Sequence, residues 1–466
     1  MTAAPARAQR RLYPPMKYLL RSLVALLILA PALGRASNPI APVPPPAALR
    51  VANVQVRVSL DHRDWTYQPG EAAHFRVSVT ADNEPVENAT VTYAVGPDLQ
   101  PGGPKTASVP LEGLAIDGGT LKEPGFLRCK VWAQIAGHNY QGAATAAFAP
   151  EKIQPIQTEP ADFDAFWQAQ IAALAKLPLE PQLTYLPDWS TDRLNVYHVS
   201  FRTATGPEPG MTPARIYGIL CEPKAPGHYP AILKVPGAHA RGYFGEKTLA
   251  AHGVITLEIG VEGIPVNLPK EVYDSLDSGA LNSYWYYNLD SRENYYYRRV
   301  ILGCIRANDF LASRESWDRK NLLVMGASQG GMLTLATAAL DPRVTGLAAT
   351  HPAFCDLAAD LHGRPGGFPR PFAPGENGQT SVHATPAKIA TAQYYDTVNF
   401  ARRVKVPGYY TWGYNDEVCC PTSLFAAYNV IAAPKTLGLT LELGHAYNQE
   451  QGDAINAWVL AFLDLK

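Results

Sequence analysis

The stretch "VMGASQGGMLTLATAAL", residues 324 to 340, sets the pentad Gly326-Ala327-Ser328-Gln329-Gly330 between an apolar run and an Ala/Leu-rich run. Ordinary glycine and serine frequencies supply an isolated G-x-S-x-G by chance, so the pentad needs its setting. "NLLVM" reads as a buried strand and "MLTLATAAL" as a helix, which puts Ser328 on a strand-to-helix turn. A serine exposed on so tight a turn adopts a strained backbone, and the residues two before and two after it have to be small. Gly326 and Gly330 meet that requirement. The helix N-terminus also aims backbone N–H groups and the positive end of its dipole at the serine oxygen, where negative charge would develop.

A serine hydroxyl is a poor nucleophile until a histidine removes its proton, and that histidine needs an acid to fix its tautomer. Asp416 ends the strand-like "GYYTWGYND" and His445 ends "TLELGH". Ser328, Asp416 and His445 therefore follow one another in the order nucleophile, acid, base, each at the end of an extended segment. Glu417 and Asp356 are alternative acids, and His351 and His383 alternative bases. The second half of the oxyanion site is expected in "PGAHARG": the N–H of Gln329 and that of Ala238 are the candidate donors. His239 and Arg241 lie in the same loop, where they could orient a substrate.

Outward from the pentad, strands alternate with longer helical segments from about residue 155. "FDAFWQAQIAALAKL" is a first helix, and "NVYHVSFRTA" and "ARIYGILCEP" are early antiparallel-type strands. "YPAILKVPGA", "GVITLEIG", "NLLVMGAS", "VTGLAATHP", "VPGYYTWGYND" and "TLELGH" follow as further strands, with a helix over "ENYYYRRVILGCIRANDFLAS". The expected fold is an α/β-hydrolase with a mostly parallel central sheet over residues 155–466.

Residues 51–150 have a different period. In "RVANVQVRVSL" the side chains of Val54, Val56 and Val58 alternate with Gln55 and Arg57, and "HFRVSVT", "ATVTYAV" and "GFLRCKVWAQIA" repeat the pattern between turn clusters. This predicts a small all-β, immunoglobulin-like sandwich. Its expected role is to support the catalytic domain, with carbohydrate binding or contact with a partner subunit as the alternatives.

The start of the chain carries an export signal. From Met16, Lys17 and Arg21 precede an apolar run from Leu23 to Leu33, and Gly34 and Ala36 offer small residues for cleavage. The apolar run is shorter than the roughly 20 residues that span a bilayer. Residues 1–36 are thus expected to be a signal peptide, with the start at Met1 or Met16, and the proline-rich 37–50 a linker. The mature protein is expected outside the cytoplasm, periplasmic or secreted, without stable membrane insertion.

A net charge of −1 gives no electrostatic footprint for nucleic acid. The six cysteines, Cys129, Cys221, Cys304, Cys355, Cys419 and Cys420, are irregularly spaced and allow fifteen pairings. Neither C-x-x-C nor H-E-x-x-H occurs, so neither metal nor cofactor is expected. The aromatic "LNSYWYYNLDSRENYYY", residues 281–297, offers ring faces that can stack on sugars, although tyrosines at helical spacing are more commonly packing residues.

With these residues in place, the chain resembles the acetyl xylan esterase and cephalosporin C deacetylase family of α/β-hydrolases over residues 155–466. The marks are Ser328-Gln329-Gly330-Gly331 and "NDEVCCPTSLFAAYNV", similar to the family's D-x-V-C-P-P-S-T-x-F-A-A-Y-N, with "ELGH" at His445. The resemblance implies Asp416 and His445 as catalytic acid and base, and an oligomeric assembly. The chain departs from the family where H-G-Y becomes Pro236-Gly237-Ala238, where R-G-Q has no counterpart, and where H-E becomes His445-Ala446. The expected activity is removal of acetyl groups from a carbohydrate ester such as acetylated xylan. A serine peptidase of the same fold and an inactive carbohydrate-binding homologue are the alternatives.

Overall fold

A computed structural model describes residues 51–204, 214–375 and 377–465. The expected signal peptide and the linker up to residue 50 lie outside the described residues. No described helix is long and apolar enough to cross a membrane.

The alternating segments of the N-terminal region form nine strands. They are β1 (Val54–Leu60), β2 (Thr66–Tyr67), β3 (Ala73–Ala81), β4 (Glu84–Pro85), β5 (Ala89–Pro97), β6 (Lys105–Val109), β7 (Leu114–Gly119), β8 (Gly125–Ile135) and β9 (His138–Phe148). β1, β3, β4 and β7 make one sheet, and β2, β9, β8, β5 and β6 make another. Phe75, Val77 and Val79 of β3 and Cys129, Val131 and Ala133 of β8 alternate into a shared core, as a period-two pattern requires.

The second region is built on one nine-stranded sheet. Its strands are β10 (Gln182–Tyr185), β11 (Leu194–Arg202), β12 (Arg215–Pro223), β13 (Tyr229–Val235), β14 (Ile255–Gly260), β15 (Trp317–Ala327), β16 (Gly346–Thr350), β17 (Gly408–Trp412) and β18 (Lys435–Leu439). Their spatial order is β10-β11-β12-β14-β13-β15-β16-β17-β18. β10, β11, β12 and β14 pair antiparallel, and everything from β14 to β18 pairs parallel. β15 therefore lies inside the parallel part of the sheet, with β13 and β16 on either side, and the turn after it opens at the carboxyl edge of the parallel strands, where α/β sheets place their sites. The helices Tyr296–Ala312 and Gln329–Leu340 are almost wholly buried.

One expected strand is displaced. The last strand is "KTLGL", Lys435–Leu439, and not "TLELGH", which runs on as a loop to His445. Both segments alternate, and the glycine in the first reads as a break. A side chain at Gly438 would crowd the Tyr409 hydroxyl on the neighbouring strand, so the glycine lets the two strands pack closely.

The two regions share one apolar core, and residues 52–466 form one compact unit. Phe126 of β8 packs against Tyr414 and Phe425, with ring centroids 5.1 and 5.6 Å away. All six cysteines are buried free thiols, so none of the fifteen pairings is made.

Candidate active site

Ser328 has φ 60° and ψ −121°, a conformation an L-residue holds only under constraint. The constraint is close packing of the strand, the turn and the loop beside it. A side chain at Gly326 or Gly330 would come within 2.6 or 2.5 Å of the Val235 carbonyl oxygen. Ser328 N–H donates to the Thr350 carbonyl at 3.0 Å, and the Ser328 carbonyl accepts from Ala353 N–H at 2.9 Å, which pins the turn to the segment after β16.

His445 Nε2 lies 3.0 Å from Ser328 Oγ, and His445 Nδ1 lies 2.8 Å from Asp416 Oδ2. Asp416 is fully buried, and its other oxygen accepts from the N–H groups of Val418 and Cys419, each at 2.8 Å. The structure thus brings Ser328, Asp416 and His445 into one hydrogen-bonded line. It does not do so for the alternatives. Asp356 accepts from the N–H groups of Ile156 and Gln157 at 2.9 and 2.7 Å and pairs with Arg364. Glu417 pairs with Lys130 at 2.8 Å, and His383 stacks on Tyr286 beside Lys388.

His351 does reach the site, as a neighbour of His445, with ring centroids 4.3 Å apart. Its Nδ1 is buried without a partner. Burial pushes its pKa down to about 4, and the nearby charge of His445 acts in the same direction against the pull of Asp416. His351, Asp416 and His445 offer ligand atoms within 4.8 Å of one another, but those of Asp416 and His445 are engaged in the line to Ser328.

Ser328 and His445 face a cavity of about 940 Å³, whose wall includes Ala238, His239, Arg241, Tyr243, Phe244 and Tyr447. Gln329 begins the helix after the serine, so its N–H has no intrahelical acceptor. Ala238 lies across the cavity wall in the loop after β13. His239 is paired with Asp277 at 3.0 Å, and Arg241 donates to the carbonyls of Ala238 and His239.

Sequence reading missed the side chain of Gln329, which is fully buried. Its amide nitrogen donates to the carbonyls of Pro236 and Gly237, both at 3.3 Å, while its carbonyl oxygen accepts from the hydroxyls of Tyr284 and Tyr297 at 2.8 and 2.5 Å. Gln329 therefore ties the serine turn to the facing loop. Tyr284 also accepts from His239 N–H at 3.2 Å, so a tyrosine from the aromatic cluster supports that loop. Tyr284, Tyr295, Tyr296 and Tyr297 are all buried, which makes that part of the cluster a scaffold for the site and not a sugar-stacking face.

A second missed set comes from the N-terminal β-region. Arg128 of β8 donates from Nη2 to the carbonyls of Tyr414 and Asp416, both at 3.0 Å, and lies 3.0 Å from the buried carboxylate of Asp98. Thr145 of β9 donates to the Asn415 side chain at 2.8 Å. The alternation that identifies β8 puts Arg128 on the face away from Cys129 and Val131, and nothing local shows that the Asp416 loop covers it.

A model of the family described as acetyl xylan esterase (AXE1) matches residues 150–462. An acetyl esterase, Axe7A of Xylanibacter ruminicola, is 39% identical over 387 residues, covering 80% of this chain and 83% of its own. The solved structure of an acetyl xylan esterase from Paenibacillus sp. R4 superposes with a TM-score of 0.56 at 27% identity, over 67% of this chain and 98% of that one. Acetyl xylan esterase 1 from Thermoanaerobacterium sp. shares the fold, with a TM-score of 0.55 at 23% identity over 67% of this chain and 97% of its own. The chain belongs to the acetyl xylan esterase family of α/β-hydrolases and is a carboxylic ester hydrolase.

Proposed function

We propose that the protein is an exported serine esterase that removes acetyl groups from carbohydrate esters. The observation that carries this is the hydrogen-bonded line from Asp416 through His445 to Ser328, ending on a strained serine that faces an open cavity. Ser328 Oγ attacks the ester carbonyl while His445 Nε2 takes its proton, and Asp416 holds the ring and stabilises the imidazolium. The N–H groups of Gln329 and Ala238 receive the developing oxyanion. His445 then returns the proton to the departing sugar hydroxyl, leaving an acetyl-serine. Water, deprotonated by His445, attacks that ester and releases acetate. A short acyl group and a neutral leaving alcohol suit the chain's near-zero net charge.

The test is hydrolysis of 4-nitrophenyl acetate and release of acetate from acetylated xylan by the purified protein. Ser328→Ala is expected to lose both. Undiminished turnover by that variant, with the wild-type protein as reference, would overturn the reading.

A further inference from the structure

The cavity over Ser328 is not the only hollow that reaches the catalytic histidine. A groove of about 480 Å³ is also lined by His445, and the two hollows share only Val418 and His445 among their lining residues. One wall of the groove is the loop pair that carries Asp416 and His445. The other wall belongs to the N-terminal β-region, through Val56 and Arg57 of β1, Lys130 of β8 and Gln141 of β9. A further hollow continues it along β1 past Gln55 to Val54. From Val54 to Val58 the strand alone provides about 13 Å of length.

The floor is kept low where β1 and β9 cross. A side chain at Gly142 would stand 2.3 Å from the Val56 carbonyl oxygen, so the backbones meet there with no room for one. Charges along the groove are matched across it. Arg57 faces Glu442 at 3.5 Å, and Lys130 faces Glu417 at 2.8 Å, each pair joining the β-region to a loop of the hydrolase. Two cations and two anions leave the lining without net charge. With the amide of Gln141 they present a mixture of donors and acceptors over the apolar surface of Val56 and Val418. That combination suits a neutral, polyhydroxylated chain: hydroxyls exchange water for groups of either sense, and C–H faces lie on valine.

We infer that this groove is a glycan-binding subsite, built half from the N-terminal β-region, that holds the sugar chain on the leaving-group side of the scissile ester. The inference rests on the esterase reading above. It makes the β-region part of substrate recognition, where the sequence favoured a supporting role over carbohydrate binding. Because the groove begins at His445, which returns a proton to the departing hydroxyl, the chain seated in it is the alcohol half of the ester and not the acyl half.

The experiment compares kcat/KM for acetylated xylo-oligosaccharides with kcat/KM for 4-nitrophenyl acetate, whose leaving group is too short to occupy the groove. Gln141→Trp fills the groove from an exposed position, and Arg57→Ala removes a donor without adding bulk. In each variant the ratio of the two constants is expected to fall, at least tenfold for Gln141→Trp, with the loss appearing as a raised KM for the oligosaccharide. A ratio within twofold of wild type in both variants overturns the subsite. Using a ratio within each variant cancels any shared loss of folded protein. Failure of wild-type protein to hydrolyse 4-nitrophenyl acetate is a different result, and it overturns the esterase reading itself.

Discussion

Arg128 Nη2 lies 3.0 Å from the carbonyl oxygen of Asp416, so a residue of the N-terminal β-region holds the backbone of the proposed catalytic acid. The guanidinium is buried with Asp98, whose carboxyl is pushed above the usual range by burial while Arg128 opposes the shift. Asp98 in turn accepts from the Thr422 hydroxyl at 2.9 Å, on the helix that follows the Asp416 loop. Removing one partner of a buried pair strands the other, which costs about 3–5 kcal/mol. Arg128→Ala is expected to lose stability on that scale in urea unfolding, and to lower kcat more than it raises KM. The Arg128→Ala, Asp98→Ala double variant should be less destabilised than the two single losses added together. Strict additivity would count against the pair.

Removal of residues 1–150 is expected to give insoluble or inactive protein. Phe126 packs on Tyr414 and Phe425, and both the Asp416 and His445 loops have ties to the β-region. Expression of the truncated chain and a 4-nitrophenyl acetate assay check this; full activity would show that the contacts are dispensable.

Gln329→Ala should reduce kcat about 10- to 100-fold with a smaller change in KM, because the side chain fixes the loop that carries Ala238 against the serine turn. Leaving the Tyr284 and Tyr297 hydroxyls without their shared acceptor adds a stability loss of about 1–3 kcal/mol. Gln329→Glu keeps an acceptor for the tyrosines but turns a donor into an acceptor opposite two carbonyls. Ionised, it also buries an unpaired charge, so it should recover neither stability nor kcat. Equal kcat in both variants and wild type would remove the side chain from the support of the proposed oxyanion site.

His351 gives the fold a dependence on acid. Its pKa is held near 4 in the folded protein and returns to about 6.5 on unfolding, so between these values the unfolded chain binds the extra proton. Stability from this group is complete above about pH 6.5 and is lost as pH falls toward 4, by at most about 3 kcal/mol. Urea midpoints at pH 7 and 4.5 should differ less for His351→Gln than for wild type. An unchanged difference would show that His351 does not titrate in this window.

The serine turn was legible because its requirements are local: small residues at 326 and 330, a strand before and a helix after. Asp416 and His445 were legible by order and by their place after extended segments, although His445 proved to lie on a loop beyond β18 and not at its end. The supports were not legible. Gln329 was read for its backbone N–H, and its buried amide depends on tyrosines 45 and 32 residues earlier. Arg128 looks like an ordinary outward residue of an alternating strand, and its partners are 286 and 288 residues away. Periodicity shows which face of a strand is apolar; it carries no information on what covers the other face.

The buried thiols bear on how the protein survives the route proposed for it. Disulfides form and persist in the oxidising compartments that exported chains reach, and here six cysteines stand unpaired in the interior. Burial pushes Cys129 and Cys304 up to about 12 and Cys221 up to about 11, which suppresses the thiolate form that oxidants attack. Protection of this kind exists only once the chain is folded. On the proposed export route, collapse of the core would compete in time with mispairing of cysteines such as the adjacent Cys419 and Cys420, which would make the yield of active enzyme a matter of folding speed.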